Sequence, residues 1–179
     1  MSALQNVGIF LVDTLFSLYI GAVVLRLLLA LARANFYNPL SQFLVKITNP
    51  VLVPMRRMIP AMGKVDTAAV VLAVGLTAIK VLLLLILEGD AAGFFDVVGS
   101  SVLEVIRTVI HIYIFALVVQ AVLSWAGNTR GNPLADLLNS LTEPLLRPIR
   151  GFVPVVGMVD LAPMVAILLL YVVLIVIRS

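Results

Sequence analysis

Polar side chains that could do chemistry interrupt the apolar runs of this sequence: Asp13, Arg26, Lys80, Arg107, His111 and Gln120. Ionisable groups inside such runs are costly, and they mark ion pairs, proton paths or ligand sites. His111 is the single histidine and cysteine is absent. Disulfides, thiolate metal sites, iron–sulfur clusters and protein-built multi-histidine sites are therefore excluded. His111 could be a lone haem or metal ligand, although the plainer reading is a hydrogen-bonded interior histidine. The sequence contains no nucleophile–base set, no phosphate-cradling glycine loop and no HExxH. It is read as non-enzymatic, with no cofactor and no metal.

A second set of chemistry-bearing residues occurs twice. "NPLSQFLVKITNPVLVPMRRMIPAMGKVD" occupies residues 38–66 and "NPLADLLNSLTEPLLRPIRGFVPVVGMVD" residues 132–160, an offset of 94. At that offset Pro50, Pro54, Arg56, Pro60, Gly63 and Asp66 meet Pro144, Pro148, Arg150, Pro154, Gly157 and Asp160. Thr48 meets Thr142, and upstream Tyr19 meets Tyr113. Fixed-period identity of this kind indicates duplication. The same register sets Asp13 against Arg107 and Arg26 against Gln120. Asp13 and Arg107 are expected either to pair across the repeat axis or each to reach outer water. Lys80 can snorkel outward, with Glu88 and Glu104 as its possible partners.

The elements that must position these groups are set by composition. The chain has 179 residues, 63% hydrophobic and 12% charged, with a mean hydropathy of +1.20. A soluble domain is clearly less apolar; the solvent here is a lipid bilayer. The net charge of +3 falls beside apolar runs and does not point to nucleic acid. Four runs are long enough to cross a hydrocarbon core, which needs about 20 residues: approximately Val7–Ala32, Thr67–Leu87, Val102–Trp125 and Leu161–Ile177, the last being short. The N-terminus lacks a basic signal-peptide region and reads as the start of the first span. Only helices satisfy their backbone internally over such runs.

The expected fold is therefore an all-α integral membrane protein. It has four transmembrane helices as two parallel repeats, residues 1–90 and 91–179, each a helix, an amphipathic cytoplasmic loop and a helix. Arg33, Lys46, Arg56, Arg57 and Lys64 lie between spans one and two, and Arg130, Arg147 and Arg150 between spans three and four. Glu88, Asp90 and Asp96 lie between spans two and three with no basic residue. The positive-inside rule puts both long loops in the cytoplasm and both termini outside.

Each long loop is expected to open with a short amphipathic helix. Asn38 and Asn132 are N-caps, and Pro39 and Pro133 take the first helical position. The apolar sets are Leu40, Phe43, Leu44, Ile47 and Leu134, Leu137, Leu138, Leu141. Pro50 and Pro144 are expected to stop these helices. Gly63 and Gly157 permit turns, and Asp66 and Asp160 cap the following spans. Three readings of the loop stand: a surface-lying connector, a docking surface for a partner or lipid headgroup, and a re-entrant pore loop. Arginines oppose the last.

These repeated residues resemble the signature of the YggT family, also called YlmG, small membrane proteins of bacteria with plastid relatives. The resemblance covers nearly the whole chain as two tandem units, and "TEPLLRPIRGFVPVVGMVDLAP" is the stretch most similar to it. The first copy departs at Thr67-Ala68-Ala69, where the second has Leu161-Ala162-Pro163, and at Arg57-Met58, where the second has Gly151-Phe152. The resemblance implies no enzymatic activity. It implies links to osmotic-stress tolerance, to cell division and nucleoid distribution, and in plastids to maturation of a b/f-type cytochrome. The motif positions it carries are Pro50, Pro54, Arg56, Pro60, Gly63 and Asp66, with Pro144, Arg147, Pro148, Arg150, Pro154, Gly157 and Asp160.

The expected function is that of an assembly or organising factor in the bacterial cell inner membrane. Its repeated, arginine-bearing loops would contact lipid or partner. The partners expected are the bilayer and a membrane protein or second copy, with no direct nucleic-acid contact. An oligomeric channel or transport-associated protein in osmotic adaptation is the alternative.

Overall fold

The computed structural model describes residues 3–125, 131–153 and 160–178. They form six α-helices: α1 Ala3–Leu31, α2 Pro39–Met58, α3 Thr67–Glu88, α4 Phe94–Trp125, α5 Pro133–Arg150 and α6 Ala162–Arg178. Helices α1, α3 and α4 are long and apolar enough to cross a membrane, and Ala162–Ile177 is a shorter apolar helix. The expected span at Val102 begins earlier, at Phe94, so Asp96 sits in the first turn of α4. An acidic residue there complements the helix dipole. Gly89 ends α3 in the left-handed conformation, with φ 79°, and its N–H bonds Ile86 O. That is the glycine C-cap expected of a helix followed by a short turn.

The expectation that proline ends the amphipathic helices is corrected. α2 runs through Pro50 and Pro54, and α5 through Pro144 and Pro148. An interior proline removes a backbone hydrogen bond and costs about 3 kcal/mol in a helix. All four prolines lie on the exposed side, where a bend away from the buried face is tolerated. The opposite stripe holds each helix. Ser41, Leu44, Thr48 and Leu52 are buried on α2, and Ala135, Leu138, Thr142 and Leu146 at the equivalent positions on α5. Both N-caps are formed as the sequence predicts. Asn38 Oδ1 accepts from Leu40 N at 2.9 Å and Asn132 Oδ1 from Leu134 N at 3.0 Å.

Contacts divide the chain into two units, residues 1–27 with 46–108 and residues 28–45 with 109–179. In the first, the Gln5 side chain donates to Leu87 O and Lys80 meets Asp13. These two pairings make α1 and α3 antiparallel. Ala68, Ala69 and Ala73 form a buried face of small residues on α3, which lets helices approach closely where lipid supplies no hydrophobic drive. In the second unit, Leu117, Leu146, Ala162 and Ala166 form the core, with Leu145, Ile149, Ile167 and Leu170 packed against it. The Asn38 amide also donates to Pro133 O at 2.6 Å there, tying the N-terminus of α2 to that of α5.

Candidate functional site

The most buried charge in the first unit is Lys80, 3% exposed and two turns before the end of α3. The expectation that it snorkels is corrected. Its Nζ donates to Asp13 Oδ1 at 3.1 Å, to Ser17 Oγ at 3.1 Å and to Glu104. An ammonium has three donors, and three acceptors on two other helices meet them. That satisfaction is why the side chain stays inside. Glu104 was legible as a partner; Ser17 was not. The expected Asp13–Arg107 pair is replaced, because Asp13 is taken by Lys80. Two carboxylates share one ammonium.

His111 is also corrected. It is exposed and not interior. It shares the outward face of α4 with Phe115, Val118 and Val122, while Ile110, Ile114 and Leu117 face inward.

The repeated motif resolves into two matched devices. In the first, a polar residue of the long helix bonds the threonine of the amphipathic helix. Buried Arg26 donates to Thr48 Oγ1, and at the equivalent positions Thr142 Oγ1 donates to Gln120 Oε1 at 2.7 Å. Gln120 also donates to Asn139 at 2.6 Å. The identical separation of the two pairs in sequence is the signal that would have joined them.

The second device is an arginine–aspartate clasp. Arg56, near the C-terminus of α2, bonds Asp66, the N-cap of α3, through Nε at 3.1 Å and through a second guanidinium nitrogen. Arg150 bonds Asp160 through Nε at 2.9 Å and Glu143 through Nη1 at 2.7 Å. Each aspartate also caps the next helix. Asp66 Oδ1 accepts from Ala69 N at 3.3 Å, and Asp160 Oδ1 from Ala162 N at 2.9 Å. The second copy has Pro163 where the first has Ala69. A proline offers no N–H, so the cap moves to Ala162.

Burial alone would raise the Asp66 carboxyl. The Arg56 hydrogen bond and charge, with the Ala69 N–H, outweigh it and hold the group below its ordinary value. The Asp160 hydrogen bond raises Arg150, with Glu143 adding to it against a smaller cost of burial. Pro60 O accepts from Thr67 Oγ1. Gly63, at φ 64°, turns the chain between Met62 and Val65, which bond each other at 3.2 Å in both directions. Pro154 and Gly157 lie outside the described residues. The arginines of the two amphipathic helices therefore divide. All are exposed; Arg56 and Arg150 hold helices together through their carboxylate partners, while among the described residues no carboxylate pairs with Arg57 or Arg147.

Among the described residues no group of acidic or histidine side chains could hold a metal ion.

Sequence comparison accounts for the doubling. A profile of the CCB3/YggT family matches residues 5–87 and again residues 99–179. An uncharacterized protein of Pseudomonas aeruginosa is 40% identical over 172 residues, covering 95% of this chain and 87% of its own length. One of Vibrio alginolyticus, described only as lying in the proC 3′ region, is 40% identical over 158 residues, covering 87% of this chain and 85% of its own. The Escherichia coli K12 protein YggT is 39% identical over 170 residues, covering 94% and 88%. No solved structure matches. Two matched stretches, each containing the clasp aspartate and the amphipathic helix before it, place the chain in the CCB3/YggT family.

Proposed function

We propose that this is a non-enzymatic organising or assembly factor of the bacterial inner membrane, with four spans, long loops inside and both termini outside. Its amphipathic helices α2 and α5 serve as contact surfaces for lipid or for a membrane-protein partner. One observation carries the reading. Both helices bury the same stripe and leave the proline-bearing face exposed, with Arg57 on one and Arg147 on the other. A helix that served only to connect two spans has no need of an open charged face. α-Helical spans suit an inner membrane, since outer-membrane spans are β-barrels.

Photo-crosslinkers at Arg57 and Arg147 in native membranes test it. Discrete adducts from these positions, absent from labels on the lipid-facing side of α4 such as Phe115, support a contact surface. Equal, diffuse adducts from all three positions would leave α2 and α5 as connectors.

The Lys80 cluster favours a second reading, a transport-associated protein, because a charged group held inside a span is a common mark of an ion path. Ion flux through protein-containing liposomes, abolished by Lys80→Met, would support it.

A further inference from the structure

α2 and α5 correspond residue for residue, yet their open faces differ. On α2, Leu40, Phe43, Val51 and Met58 form an exposed apolar flank beside the buried stripe, with Pro50 and Pro54 among them. The equivalent flank along α5 is less open: Phe43 is 61% exposed, while Leu137 in its place is 7% exposed, and Leu134 and Leu145, in the places of Leu40 and Val51, are half-buried; Phe152, after the helix end, stays exposed as Met58 does.

The charges differ in the same sense. Residues 39–66 carry Lys46, Arg56, Arg57 and Lys64 against Asp66 alone. Residues 133–160 carry Arg147 and Arg150 against Asp136, Glu143 and Asp160. Arg56 is spent on Asp66. Lys46, Arg57 and Lys64 are exposed, and among the described residues no carboxylate pairs with them. Lys46 and Arg57 are eleven residues apart, three helical turns, and so lie on one side of α2.

α2 thus has three faces: one buried in protein, one apolar and open, one basic and open. A helix with an apolar face and a basic flank lies at the membrane surface, its apolar side against acyl chains and its cations at the headgroups. We infer that α2 and the turn after it bind anionic phospholipid headgroups, and that α5 does not. The inference rests on the contact-surface reading and names the ligand for one of the two helices. The complementarity is of charge: two uncompensated cations lie on α2 beside its apolar flank and a third in the turn that follows, in a chain whose solvent is lipid. In α5 the clasp arginine is shared by two carboxylates and Leu137 is buried where Phe43 is open, so that side of the helix packs within its own unit.

The test uses the full chain reconstituted in vesicles of phosphatidylcholine with phosphatidylglycerol, read by the association of spin-labelled lipids. One basic residue near an anionic surface strengthens attraction about fivefold. Wild type is expected to prefer phosphatidylglycerol by about fivefold or more at low salt, since each bound headgroup faces at least one of these cations. The triple variant Lys46→Gln, Arg57→Gln, Lys64→Gln is expected to fall to near parity. Lys46→Arg, Arg57→Lys, Lys64→Arg keeps the preference, which separates charge from folding. Arg147→Gln leaves it unchanged, and added inorganic phosphate does not compete. No preference in wild type, a preference surviving in the triple glutamine variant, or an equal loss with Arg147→Gln overturns the inference. Discrete protein adducts from Arg57 without headgroup preference would also overturn it, and would leave the contact-surface reading standing.

Discussion

At the scale of single residues, Lys80 and Asp66 carry the sharpest expectations. Lys80 is held by acceptors on two helices other than its own. Lys80→Met removes the charge that both Asp13 and Glu104 face. Asp13 remains half exposed and Glu104 one-third exposed, so the loss is about 1–3 kcal/mol and not the larger figure of a fully buried pair. The thermal midpoint in detergent should fall, and adding Asp13→Asn with Glu104→Gln should recover much of it, because contacting groups are not additive. Strict additivity would mean that the groups act independently. The folded-state carboxyl of Asp66 lies below its ordinary value. Its stabilisation is present above the unfolded value, about 3.9, and is lost as pH falls through the lower folded value. With the Arg56 side chain 42% exposed, solvent screening holds the effect below about 1 kcal/mol. Wild type should therefore lose stability more steeply than Asp66→Asn as pH drops below about 4. Parallel acid profiles would mean that the clasp contributes nothing.

At the scale of elements, the two amphipathic helices show what sequence carries and what it omits. Their starts were legible because Asn38-Pro39 and Asn132-Pro133 state a cap and a first turn in local chemistry. Their ends were not. A proline reads as a stop on local grounds, and only the buried stripe opposite, a tertiary fact, keeps α2 going to Met58 and α5 to Arg150. Lys80 is legible only in part for the same reason: Glu104 stands out as a partner, but a long stem near a span end also suggests snorkelling, and only the packing of α1 brings Asp13 and Ser17 to it. His111 failed on facing, since no local signal separates the inward side of α4 from the lipid side when both are apolar. Continuity of α2 and α5 is directly measurable. Spin labels placed singly along 40–58 and 134–150, prolines excepted, should give accessibility with one unbroken period near 3.6 residues. A loss of phase at Pro50 or Pro144 would restore the broken-helix picture.

At the scale of the whole molecule, the number of crossings decides which side each end occupies. α1, α3 and α4 have length to spare. α6 has 17 residues, about 26 Å of helix at 1.5 Å per residue, against a hydrocarbon core of roughly 30 Å. The shortfall is within what local thinning accommodates, at a fraction of a kcal/mol per Å. Two features argue that α6 crosses. Its sequence from Ala162 to Ile177 holds no charge, and an apolar helix of this kind has no polar face with which to lie at the surface. Its partner α5 covers part of one side, while Leu168, Tyr171, Val172, Ile175 and Val176 stay exposed, an apolar surface suited to lipid. The chain has no native cysteine, so single introduced thiols report side without background. Ala92, in the turn between α3 and α4, should label from outside the cell, Asn139 on α5 only from inside, and Ser179 from outside. If Ser179 labels with Asn139, α6 does not cross and the chain has three spans. The two matched stretches then have opposite crossing counts, and a parallel duplication in the membrane is ruled out. If Ala92 and Asn139 share a side, α4 itself does not cross, and the placement of the long loops by their lysines and arginines is wrong.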